Sequence, residues 1–200
     1  ILFFKNLYSV DDMVDPSRII NLFKPLVNEE MNANLCKSFT DQEISDALFQ
    51  IGPFKAPGPD GFPARFFQRN WGCVKEDITR AVKDFFDTGN MPDGINDTTI
   101  VLIPKVKNPQ SIKDFCPISL CNVIYKIFSK CLVNRLRPIL DGMISPTQSA
   151  FIPGGLISDN PLIAFECMHS LSSLKDERGE FCAYKLDLAK AYDRVDWQFL

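Results

Sequence analysis

Tyr184-Lys185-Leu186-Asp187-Leu188-Ala189-Lys190-Ala191-Tyr192-Asp193-Arg194-Val195-Asp196-Trp197 stands close to the end of a chain of 200 residues. Residues 181–188 are apolar, rich in aromatics and poor in charge, which predicts a buried strand. That strand finishes on a carboxylate, Asp187. From Ala189 onward the sequence turns polar and helix-compatible. A carboxylate at the end of a core strand is costly unless a partner, a hydrogen bond or a metal compensates it. Asp is also among the favoured helix caps, and position alone leaves both readings of Asp187 standing.

Working outward, the composition suits a packed interior. Hydrophobic residues make up 46% of the chain and aromatic residues 12%, which argues against disorder throughout. The net charge of −3 announces no global attraction to nucleic acid, but the charge is uneven. Residues 1–50 carry four basic side chains against eight acidic ones, and residues 100–140 carry seven basic against Asp114 alone. A local basic block can hold phosphates in an acidic protein, although a solvated cationic helix face explains Lys126, Lys130 and Arg137 as well. The seven cysteines contain no Cys-x-x-Cys pair, and His169 has no metal-ligand spacing to them, so no zinc centre is expected. An odd cysteine count without a signal peptide fits reduced thiols in an intracellular protein. No apolar run approaches the length of a membrane span. The chain starts without Met and stops inside an expected helix at Phe199-Leu200, so both ends read as cuts.

Residues 1–39 form an acidic, loosely amphipathic lead-in. Thr40 and Glu43 then make a capping box, and Ile44, Ala47, Leu48 and Ile51 follow at helical spacing up to Gly52. Lys55-Ala56-Pro57-Gly58-Pro59-Asp60-Gly61 cannot continue a helix or a central strand. It predicts a stiff loop, framed by Phe54, Phe62, Phe66 and Phe67. Most such loops are surface connections, but a fixed loop with a Lys at its lip also suits a phosphate backbone. Residues 74–88 predict a helix closed by Gly89. Residues 98–103 predict a strand bounded by Pro104 and followed by Lys105, and a second strand is expected from Phe115. Strand, cationic loop and strand make a hairpin that can lay lysines over a ligand. Residues 122–136 predict a helix with Val123, Ile127, Cys131 and an apolar stripe at 128, 132 and 136. A loop over 145–155 leads to a helix capped by Ser158 and reaching about Leu174.

Four blocks now stand in order: Lys55–Gly61 (K-A-P-G-P-D-G), Leu102–Leu120 (L-I-P-K … F-C-P-I-S-L), Gln148–Asn160 (Q-S-A-F-I-P-G-G-L-I-S-D-N) and Lys185–Trp197 (K-L-D-L-A-K-A-Y-D-R-V-D-W). Together they resemble the reverse transcriptase of non-LTR, LINE-type retrotransposons, of the plant kind. The resemblance covers residues 40–200, and residues 1–39 correspond to the variable segment before the domain. It implies an α+β fold: a helical N-terminal segment, then the fingers and the first part of the palm of a right-hand polymerase. It implies RNA-templated DNA synthesis in the nucleus, with an RNA template, a DNA primer and deoxynucleoside triphosphates as partners. No membrane and no obligate protein partner enter the picture. The cofactor implied is Mg²⁺, or Mn²⁺, in a two-metal phosphoryl transfer to a primer 3′-hydroxyl. Asp187 matches the first catalytic carboxylate and a metal ligand, with the Leu188 carbonyl beside it. Tyr192 matches the residue under the incoming sugar. Lys105 matches a residue that grips the triphosphate as a point charge. Gln148 matches a position near the template, and Lys55, Gly58 and Gly61 would lie along the template path.

Departures from the pattern matter as much. Position 116 in the family is usually an Arg that pairs with the triphosphate, whereas this chain has Cys116, which cannot make a bidentate phosphate contact. Gly155 also stands where a basic residue is usual. The family's aromatic-x-Asp-Asp block is expected beyond residue 200, with the thumb, and Tyr8-Ser9-Val10-Asp11-Asp12 is no substitute at that place. The 200-residue chain alone is therefore expected to be inactive. Two other readings are a non-catalytic nucleic-acid-binding remnant of a decayed element and a plain helical interaction module. The four ordered blocks speak against the module.

Overall fold

The structure is a computed structural model that describes residues 15, 17–145, 147–148, 154–156, 158–173, 183–187 and 195. It divides into two compact units, Val27–Gly142 and a second made of Ile1–Leu26 with Met143–Leu200. The described residues are α+β: helices with one two-stranded sheet.

The first unit opens with α2, Glu29–Leu35, after the four-residue α1, Ser17–Ile20, of the second unit. Asn28 caps α2, its side chain accepting from Met31 N–H. Helix α3, Asp41–Gln50, begins at the capping box the sequence predicts. Glu43 N–H donates to Thr40 Oγ1 at 3.2 Å, and Thr40 N–H donates to Glu43 Oε2 at 2.8 Å, so two otherwise orphaned donors are satisfied. Its apolar spacing places Ile44, Ala47 and Leu48 fully inside. Helices α4, Ala64–Arg69, and α5, Trp71–Thr88, follow. Helix α5 ends at Gly89, whose φ of 73° is a left-handed conformation open to glycine at little cost.

Strands β1, Thr98–Pro104, and β2, Phe115–Cys121, form an antiparallel hairpin in register from Thr98 opposite Cys121 to Pro104 opposite Phe115. A short 3-10 turn, Ile112–Asp114, sits in the connection. Helix α6, Val123–Met143, follows. It buries Val123, Ile127, Phe128 and Cys131 against Phe39, Ile44, Leu48, Ala64, Phe67, Ile78 and Val82. Phe85 of α5 stacks on Phe128 with ring centroids 4.8 Å apart.

Three expectations need correction. Of the stripe at 128, 132 and 136, only Phe128 is buried, and Leu132 and Leu136 are exposed. The core face of this helix is centred on Val123, Ile127 and Cys131, and the stripe starting at Phe128 turns away from it. Helix α6 also runs past Leu136 to Met143 with Pro138 inside it. Finally, residues 183–187 form neither strand nor helix. A strand exists by pairing, and among the described residues none pairs with this one. In the second unit α7, Asp159–Ser173, matches the helix expected from Ser158. Its Asp159 side chain accepts from Leu156 N–H at 2.8 Å. No helix among the described residues is long and apolar enough to cross a membrane.

Candidate functional site

The hairpin brings two of the expected nucleotide-binding positions together. Ile103 lies opposite Cys116, and directly opposed residues of an antiparallel pair project to the same face. Lys105 is two residues beyond Ile103, and its N–H donates to Asp114 O at 2.7 Å, which carries the ladder one step past the strand end. Lys105 thus stands in the bend directly after β1, and Cys116 lies on β2, one residue in from the same end of the hairpin. Lys105 is exposed and Cys116 is half-buried. The Cys116 thiol faces its neighbour's carbonyl, Pro117 O, at 3.9 Å.

The loop from Lys55 to Gly61 is held in place, and of its aromatic frame Phe67 is buried in the core. Phe54 is 76% exposed, with Arg65 over its ring, while Phe62 and Phe66 pack on one another. The fastener is Asn122, at the junction of β2 and α6, which is only 6% exposed. Its Oδ1 accepts from Asp60 N–H at 3.2 Å, and its Nδ2 donates to Gly94 O at 2.9 Å and Ile95 O at 3.4 Å. Gly58 lies so close that a Cβ there would collide with the Asn122 side chain and backbone and stand 2.6 Å from the Cys121 carbonyl carbon. Lys126 Nζ donates to Ala56 O at 2.7 Å. Gly61 takes a φ of 74°, and the Asp60 side chain accepts from Phe62 N–H at 3.0 Å, so the Asp-Gly pair turns as its chemistry suggests. Lys55 is exposed at the loop's edge.

Arg135 is the other residue that sequence reasoning missed. Its guanidinium bonds both Glu43 oxygens, at 2.8 and 3.1 Å, and the carbonyls of Leu35 at 3.1 Å and Ser38 at 3.0 Å. It also donates to Lys37 O and lies over the Phe39 ring, 3.5 Å from the centroid. The Arg135 hydrogen bonds hold the Glu43 carboxyl at about 2, well below its ordinary 4.5, against the opposing effect of burial. Burial pushes the Cys131 thiol up to about 11. Lys126 and Arg135 are thus engaged inside the protein. Lys105, Lys107, Lys113 and Arg137 remain exposed in the basic block, with Lys130 half-buried.

Asp187 and Gln148 belong to the second unit, and both are exposed. The Gln148 N–H donates to Ser145 O at 2.9 Å. Leu188 and Tyr192 lie outside the described residues. Among the described residues no three His, Cys, Asp or Glu side chains gather closely enough to hold a metal ion.

Residues 103–200 match the family described as reverse transcriptase (RNA-dependent DNA polymerase). The chain is similar to the transposon TX1 uncharacterized 149 kDa protein of Xenopus laevis, 33% identical over 99% of this chain and 15% of that protein. It is similar to the retrovirus-related Pol polyprotein from type-1 retrotransposable element R1 of Bradysia coprophila, 25% identical over 94% of this chain and 18% of that protein. It is also similar to the Pol polyprotein from type-1 retrotransposable element R2 of Nasonia vitripennis, 27% identical over 89% of this chain and 15% of that protein. The chain spans less than a fifth of the length of these relatives.

Proposed function

This chain carries reverse transcriptase sequence of the kind found in non-LTR retrotransposon Pol proteins, and from that premise we propose that its first unit serves as polymerase fingers. In this reading the hairpin receives the triphosphate of an incoming deoxynucleotide, and the Lys55–Gly61 loop guides an RNA template. The domain as a whole then copies RNA into DNA from a DNA primer. The observation that carries the reading is the hairpin, which holds Lys105 directly after β1 and Cys116 on β2 at the same end. A lysine at the end of a twisted ribbon, with a second phosphate-facing position at that end, is an arrangement for an extended polyanion. Asp187 would stand at the start of the palm and offer one carboxylate to a divalent cation, Mg²⁺ or Mn²⁺. Tyr192 would lie under the incoming sugar, and Gln148 near the template. A second reading, a nucleic-acid-binding remnant without catalysis, is favoured by Cys116, because a half-buried thiol cannot neutralise phosphate.

The test is nucleotide binding by calorimetry. Cys116→Arg is expected to tighten deoxynucleoside triphosphate binding about tenfold or more, since a charge-assisted hydrogen bond contributes about 1.5–3 kcal/mol. Lys105→Ala is expected to weaken it in that background. Equal affinity in all three proteins would sink the fingers reading. The 200-residue chain alone is expected to extend no primer, because it holds Asp187 as one carboxylate of the family's set. The same chain lengthened through an aromatic-x-Asp-Asp block is expected to extend one. Failure of the lengthened Cys116→Arg protein to do so would favour the remnant.

A further inference from the structure

We propose that Asn122 is a positioning residue that sets the path of the Lys55–Gly61 loop, and with it Lys55, for the template strand. The proposal rests on the template reading of that loop given above.

The amide of Asn122 joins three stretches that are far apart in sequence. Asp60 N–H can only donate, and the carbonyls of Gly94 and Ile95 can only accept, so the amide has one orientation that satisfies all three. Serine, aspartate and alanine each lack part of that set. At 6% exposure, water cannot readily replace a lost partner, and an unpaired buried polar group is costly. The loop adds its own half of the fit. Gly58 has no room for a Cβ against Asn122 and Cys121, so the backbone itself lies on the amide. Lys126 fastens Ala56, immediately after Lys55. Pro57 and Pro59 stiffen what lies between.

The arrangement has a directional consequence. Asn122 directly follows β2, the strand that carries Cys116, and its amide reaches the turn just before β1, the strand that leads to Lys105. One side chain therefore ties the template loop to both base ends of the nucleotide hairpin. A shift of the loop and a shift of the hairpin base cannot occur independently while the amide keeps its three bonds.

The experiment is a thermodynamic cycle on the 200-residue chain, using a fluorescein-labelled single-stranded RNA and fluorescence anisotropy over a salt series. Lys55→Ala is expected to lower the slope of log Kd against log salt by about 0.7, the value for one phosphate neutralised on a single strand. In the Asn122→Ala background, the same Lys55→Ala change is expected to alter the slope little. Trypsin supplies a readout that needs no RNA. Cleavage after Lys55 is expected to be at least tenfold faster in Asn122→Ala than in the unaltered chain at equal global stability. Should Asn122→Ala fail to fold, Gly58→Ala replaces it, since its Cβ would collide with the Asn122 side chain and backbone and push the loop off the amide. An unchanged Lys55 effect in the released background, with unchanged trypsin cleavage, overturns the positioning role. No slope change from Lys55→Ala in the unaltered chain, with faster cleavage in the released one, overturns the template path while leaving the tie itself intact.

Discussion

Glu43 serves two partners. One oxygen closes the cap of α3 with Thr40, and both oxygens receive the Arg135 guanidinium. Its carboxyl is held at about 2 in the fold, against 4.5 ordinarily. A depressed carboxyl stabilises the folded state fully above its ordinary value, and that contribution fades as pH falls from about 4.5 through about 2. Glu43→Gln keeps a cap acceptor and loses the charge. It is expected to cost about 1 kcal/mol at pH 7, the modest figure reflecting a side chain 38% exposed. Urea unfolding at pH 7 and pH 3 checks this: the difference between the two proteins should shrink at the lower pH. A difference that is constant or grows would show that Arg135 does not set the titration. Thr79 offers the opposite case. Its buried hydroxyl has no hydrogen-bond partner among the described residues. Thr79→Val keeps the shape and removes the orphan, so it is expected to stabilise by about 1 kcal/mol. A lower urea midpoint in the variant would refute that.

Elements announced themselves in the sequence to the extent that their causes are local. Thr40 and Glu43 are three residues apart, and Gly89 ends α5 by its own backbone freedom, so both boundaries were readable. The hairpin was readable too, because two β-rich runs flank a cationic turn. Its partner contacts were not. Arg135 and Glu43 are 92 residues apart, and Asn122 and Asp60 are 62 apart. No periodicity encodes such a meeting. Asn122 did leave one trace, as a polar residue between an apolar strand and an apolar helix, which is a cap position. The α6 stripe misled because apolar residues lie on more than one of its faces. Its true inward residues are Val123, Ile127, Phe128 and Cys131. Ile127→Ala, at 0% exposure, is expected to cost about 2–5 kcal/mol, while Leu132→Ala, at 46%, should cost far less. Equal losses in thermal unfolding would put the core face elsewhere. Asp187 shows the other limit of local reading: its five described residues look like a strand, yet pairing makes a strand.

At the scale of the whole molecule, an acidic protein carries a basic segment, and the fold sorts that segment into two uses. Lys126 and Arg135 fasten the first unit internally. Lys105, Lys107, Lys113 and Arg137 stay exposed to solvent. Binding of the chain to a primer–template duplex is expected to be weak and salt-sensitive, losing about 0.9 log unit of affinity per log unit of salt for each phosphate neutralised on a B-form duplex. Neutralising Lys105 and Lys107 together should flatten that dependence. Neutralising Arg135 should instead lower the melting temperature. Affinity that is the same at low and high salt would remove the basic segment from any role in binding.

The Asn122 tie also has a history in time. The loop at 55–61 and the residue that fastens it are separated by 62 positions at the Asp60 contact. A ribosome adding about 5–20 residues each second makes the loop roughly 3–12 s before it makes the fastener. Through that interval the capped helix α3 can already wind, because its box needs nothing downstream. The prolines and glycines that follow it must wait unfastened beside the exit tunnel. A nascent chain stalled short of residue 122 would therefore present an unlocked loop to proteases, and one released just beyond it would not.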